Sequence, residues 1–113
     1  MNDVQRIWTT ARDRFGDSRD RRTPSPGIAA LLHALAEHGP NHGTALAHLA
    51  GQAQSNSSVW LRTLQRYGFA RSVDEVPGVG HQGGGRPAVF WELTTSGRHL
   101  VRALVDAETG VTV

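Results

Sequence analysis

The stretch Gly83-Gly84-Gly85-Arg86-Pro87-Ala88-Val89-Phe90-Trp91-Glu92-Leu93-Thr94 restricts the possible folds of this chain more than any other. Three successive glycines disfavour a helix, each by about 1 kcal/mol relative to alanine. Pro87 then fixes φ at the entry to the next segment. Val89, Trp91 and Leu93 alternate as one face of a strand does. Thr94-Thr95-Ser96-Gly97 follows as the opening of a helix. A glycine loop tipped by one arginine therefore returns into a strand and then a helix.

The rest of the chain supplies the partners of that unit. Val4, Ile7, Trp8, Ala11 and Phe15 recur at helical spacing, which predicts an amphipathic helix over 3–15. A polar linker with Arg19, Arg21, Arg22 and two prolines follows. Pro26 after Ser25 suits a first helical position, and Ile28, Leu31, Leu32 and Leu35 give that helix its apolar stripe. His38-Gly39-Pro40 stops it. Thr44 can cap a short helix with Leu46, Ala47 and Ala50 turned inward, and Gly51 allows a tight turn. Ser55 or Asn56 can cap the next helix, which runs to about 67 and keeps Ser57, Trp60, Leu61 and Leu64 on its inner face. A strand is predicted over 69–73, and a last helix over 95–107 carries Leu100, Val101 and Leu104.

Composition narrows the function classes. With 113 residues the chain is long enough for one domain with terminal extensions. Three parts are expected: 1–25 as a helix and arginine-rich linker serving as a dimerisation arm, 26–107 as the main domain, and 108–113 as a tail. There is no cysteine, so neither a disulfide framework nor a thiolate metal site is available. No long apolar run or signal-like segment stands out, and a cytoplasmic protein without membrane contact is expected, one that the resemblance described below would associate with the nucleoid. The formal net charge is only +2, yet all twelve basic residues are arginine, whose planar fork suits phosphate and guanine. Arginine usage of this kind also follows from GC-rich coding sequence.

Residues 28–104, about two thirds of the chain, resemble the winged-helix bacterial regulators of the MarR, PadR and ArsR kind. Leu31-Leu32-His33-Ala34-Leu35-Ala36-Glu37-His38-Gly39-Pro40 is similar to the helix preceding their motif. Ala45-Leu46-Ala47-His48-Leu49-Ala50-Gly51 and Leu61-Arg62-Thr63-Leu64-Gln65-Arg66-Tyr67-Gly68-Phe69 match the spacing of its two helices. Gly85-Arg86-Pro87, Trp91-Glu92-Leu93-Thr94 and Gly97 resemble the wing and its exit. Two positions depart from the pattern. Ser57 stands where a β-branched core residue is usual, and Gln52 where the turn is usually apolar.

The resemblance implies a mostly α fold with a small two-stranded antiparallel β-wing, a winged helix-turn-helix. It implies a sequence-specific double-stranded DNA-binding regulator, a repressor, and no enzyme. In such a module the second helix of the motif reads base edges in the major groove. Its outward residues here would be Gln54, Ser55, Asn56, Ser58, Val59 and Arg62. Asn and Gln suit adenine, Arg suits guanine, and Val59 a thymine methyl. Thr44 is expected to offer its hydroxyl to a phosphate, Arg66 and Arg71 to touch phosphate or solvent rather than bases, and Arg86 to enter the minor groove. The apolar faces of the terminal helices, Val4, Ile7, Trp8, Leu100 and Leu104, are expected to pair two copies on an inverted repeat. The alternative is that both helices fold over their own domain.

Two other functions share the module: a plasmid or phage replication or partition DNA-binding protein, and a winged helix used only for protein interaction. His33, His38, His42 and His48 match no metal-ligand spacing, and neither a metal nor a cofactor is expected. The triple glycine leads into a strand, the wrong context for a nucleotide-binding turn.

Overall fold

The computed structural model describes residues 2–16, 22–74 and 89–109. Its elements in chain order are α1 (Asp3–Arg14), α2 (Pro26–His38), β1 (Asn41–His42), α3 (Gly43–Leu49), α4 (Gln54–Arg66), β2 (Ala70–Asp74), β3 (Val89–Leu93) and α5 (Thr95–Thr109). Among the described residues, five helices and one small antiparallel sheet make a winged-helix fold.

Local chemistry sets the helix starts. Asn2 caps α1 by accepting the Gln5 amide at 2.8 Å, and Asp3 complements the positive end of the helix. Ser25 caps α2 through the Ile28 amide, with Pro26 following as expected. Two expected caps are not used. α3 begins at Gly43, so Thr44 lies inside its first turn, exposed and not at the cap. α4 begins at Gln54 behind Ala53, which places Ser55 and Asn56 in the first turn rather than ahead of it.

The expected antiparallel pair, β2 and β3, is present, and among the described residues a third strand joins it in the order β1-β3-β2. Asn41 and His42 pair with Trp91 and Phe90, and the His42 ring stacks on Phe90 with centroids 4.2 Å apart. A two-residue strand has no alternation to read, so the sequence pattern could not reveal it. Along β3 burial grades outward: Leu93 is buried, Trp91 is half-buried and Val89 is exposed. The expected inward Val89 is thus corrected: it lies opposite Asp74 at the end of the β2–β3 pair farthest from the buried Ala70–Leu93 pair.

The core gathers residues from every helix. Leu31, Leu32, Leu46, Leu61, Leu64 and Leu100 are fully enclosed. Trp8 meets Tyr67 edge-on at 5.0 Å and stacks on Phe69 at 5.7 Å, geometries that aromatic rings favour. This packing corrects the expected dimerisation surface. Val4, Trp8, Leu100 and Leu104 are all buried within their own chain, and Ile7 packs against the same core. α1 is therefore a wall of the domain and not a free arm. Within one chain both terminal helices fold over their own domain.

Candidate nucleic-acid interface

Helices α3 and α4 are joined by a turn that its own backbone closes. The Gly51 amide donates to His48 O at 3.0 Å and the Gln52 amide to Ala47 O at 2.9 Å. Gly51 takes φ +68°, a left-handed value that glycine adopts without a Cβ penalty. Gln52 of the turn and Ser57 of α4 meet on the inner side. Ser57, 1% exposed, donates its hydroxyl to Gln52 Oε1 at 2.8 Å, and Gln52 Nε2 donates to Gly27 O at 2.6 Å. The unusual serine and glutamine thus satisfy each other. Among the described residues no buried side-chain polar atom lacks a partner.

With Ser57, Leu61 and Leu64 turned in, the other side of α4 faces out. Ser55, Ser58, Val59, Arg62 and Arg66 follow the i, i+3, i+4, i+7 spacing of one helical face, and all are exposed. Gln54 and Asn56 flank it in the first turn, also exposed. Val59 is 62% exposed, an apolar side chain largely open to solvent. No aspartate or glutamate occurs in α4, so the face combines neutral hydrogen-bonding groups with arginine. Thr44 is exposed in the first turn of α3.

Arg71 and Glu92 are register partners on β2 and β3, and Arg71 Nε pairs with Glu92 Oε1. The expected phosphate contact therefore already holds a carboxylate. Gln65 had no assigned role. It is exposed on α4, and its Nε2 donates to Ser72 Oγ at 3.1 Å, which ties the helix to the hairpin. A polar residue one helical turn before a strand gave no sequence signal of that tie. Arg86 lies outside the described residues, as do Gly83, Gly84, Gly85 and Pro87.

Among the described residues the histidines are dispersed. His33 Nε2 contacts Glu108 Oε1 at 2.9 Å, and His42 stacks on Phe90. Among the described residues no group of three or more histidines and carboxylates is placed to hold a metal ion. No helix among them is long and apolar enough to cross a membrane. A cleft of about 450 Å³ runs between α2, β3 and α5, floored by Leu35, Pro40, Leu93 and Val101 and edged by Arg98 and Arg102.

No family model matches the sequence, and no curated protein matches it. Solved structures do match in fold. BpsR of Bordetella bronchiseptica, whose DNA binding is regulated by 6-hydroxynicotinic acid, superposes with a TM-score of 0.65 at 19% identity, covering 94% of this chain and 76% of that one. RV1404 of Mycobacterium tuberculosis superposes with a TM-score of 0.59 at 18% identity, covering 95% of this chain and 65% of that one. The fold of this chain is the fold of those proteins.

Proposed function

We propose that this chain is a sequence-specific double-stranded DNA-binding transcriptional regulator of the MarR, PadR or ArsR kind, acting as a repressor. The observation that carries the proposal is the outward face of α4. It is exposed along its length, free of carboxylates and built from side chains that hydrogen-bond base edges. The fold shared with BpsR, a protein with regulated DNA binding, supports the same conclusion.

In the complex α4 lies in the major groove. Gln54, Asn56 and Arg62 make forked contacts to bases, Ser55 and Ser58 make short contacts, and Val59 meets a thymine methyl. Thr44 and Arg66 take phosphates on either side. Arg86, which lies outside the described residues, contacts the minor groove, where negative potential is concentrated. Two copies related by a two-fold axis read an inverted repeat. Their contact uses what the protomer core leaves uncovered, notably Val105 beside the α2–α5 cleft.

Selection from a random duplex pool tests the proposal. A regulator enriches a sequence with two symmetric halves spaced by about one helical turn, ~10 bp, or a multiple of it. Recovery of duplexes without common sequence would overturn it.

A further inference from the structure

We infer that Gln52 is a positioning residue that sets the rotation of α4 and thereby the sequence that α4 selects. The inference rests on the proposed DNA reading and adds how its geometry is held. Gln52 sits in the turn, outside the exposed face, and is not itself a base-contacting candidate. Its amide links two helices at once. Nε2 donates to Gly27 O in the first turn of α2, and Oε1 accepts the buried Ser57 hydroxyl of α4. Gly27 is also where Trp60 of α4 lies against α2. A Cβ there would fall 2.2 Å from the Trp60 ring, so the two helices are as close as glycine permits.

The chemistry of the link explains why it controls rotation. Apolar contacts are non-directional and tolerate a helix turning within its groove. Hydrogen bonds prefer near-linear geometry and weaken steeply when misaligned. Ser57 and the base-reading candidates share one rigid helix, so holding its hydroxyl on Gln52 fixes the azimuth of all of them. A rotation of about 20° moves a side-chain tip ~6 Å from the axis by ~2 Å. That exceeds the ~0.5 Å window of a good hydrogen bond several-fold. Loss of the link would therefore change which bases are reached, even with every contacting residue intact.

The test separates positioning from stability. Removing one partner strands a buried polar group, whereas replacing both by apolar side chains can leave stability unchanged. The double variant Gln52→Leu, Ser57→Val is compared with wild type, and Ser57→Thr serves as the conservative variant that keeps the hydroxyl. The double variant is expected to melt near wild type yet to lose about tenfold or more of the discrimination between the selected duplex and single-base variants. Ser57→Thr is expected to retain wild-type preference. Residual dipolar couplings of the α4 amides, measured without DNA, are expected to report a changed α4 orientation relative to α2 in the double variant only.

Unchanged couplings in a folded double variant overturn the inference, whatever the DNA result. Changed couplings with unchanged base preference overturn its link to sequence selection. A wild-type chain that selects no duplex sequence overturns the proposed function instead, and the couplings still decide whether Gln52 orients α4. Should the double variant fail to fold, the comparison passes to Gln52→Glu, which keeps the acceptor for Ser57 but not the donor to Gly27. Wild-type couplings in that variant overturn the role of the Gly27 bond.

Discussion

Gly97 stands directly against the carbonyl of Phe69: a Cβ on it would lie 2.0 Å from that oxygen. The contact presses the first turn of α5 onto the chain leaving α4 and closes the domain behind the helix-turn-helix. Because the opposing atom is backbone, no side-chain rotation can relieve a clash. Gly97→Ala should cost about 3 kcal/mol, the upper end for overpacking. Urea denaturation measures it. A loss below about 0.5 kcal/mol, an ordinary surface value, would mean that the junction opens without cost.

Thr94 fastens the same junction by three bonds. Its hydroxyl donates to Gly68 O at 2.5 Å and accepts the Gly97 amide at 3.1 Å, while its own amide donates to Phe69 O at 3.1 Å. Thr94→Ala removes the cap and the tie but keeps the backbone bond, for an expected loss of about 1–2 kcal/mol. Thr94→Ser should recover most of that loss. Equal melting of the alanine and serine variants would show that the hydroxyl is idle.

These two residues show what the sequence made legible. Thr94 through Gly97 reads as a helix opening because capping and close approach demand particular residue types. The apolar stripes of α2, α4 and α5 were equally plain, since a 3.6-residue period survives any tertiary arrangement. What a stripe packs against is another matter. Val4 and Trp8 form an apolar face whether they meet a second copy or Tyr67 and Phe69, and only three-dimensional packing decides. Gln52 and Ser57 looked like departures from a pattern, because their mutual hydrogen bond joins residues five apart around a turn. Which side of α4 faces out was legible from the same period. Thr44 and Arg71 were less so, since a helix start displaced by one residue and a cross-strand carboxylate change their surroundings.

Arg62 and Asn56 should carry sequence preference as well as affinity. Each alanine substitution is expected to cost about 1–3 kcal/mol at the base it contacts and much less elsewhere. Competition binding against duplexes varied at single positions measures this. Uniform weakening on every duplex would reassign the side chain to phosphate.

Glu92 holds Arg71 on the exposed hairpin surface, with the Arg71 side chain 67% exposed. Arg71 is largely in solvent although Glu92 is only 21% exposed, so Glu92→Gln should change unfolding by no more than about 1 kcal/mol. The same substitution releases a guanidinium and removes a negative charge beside the proposed DNA path. Binding should strengthen, and its dependence on salt should steepen by about one unit of slope if Arg71 gains a phosphate. Unaltered affinity and slope would place Arg71 away from the duplex.

Trp8 and Val105 together separate the protomer core from the proposed dimer contact. Trp8 is 1% exposed and surrounded by its own chain, whereas Val105 is 40% exposed on α5. Losing a core side chain lowers the stability of each protomer, whatever the protein concentration. Losing an interface side chain weakens association, and association stabilises the folded state only through mass action. Trp8→Ala should therefore cost about 3–5 kcal/mol, with the fall in Tm the same across about a hundredfold range of concentration. Val105→Asp should leave the unfolding free energy of the dilute protomer nearly unchanged. It should abolish the rise of Tm with concentration that a wild-type dimer shows, and light scattering should give the mass of one chain. If Trp8→Ala instead removed the concentration dependence while sparing the dilute protomer, Trp8 would belong to an interface and the α1 packing would be wrong. If Val105→Asp scattered as the wild type does, the dimer contact would lie elsewhere than α5.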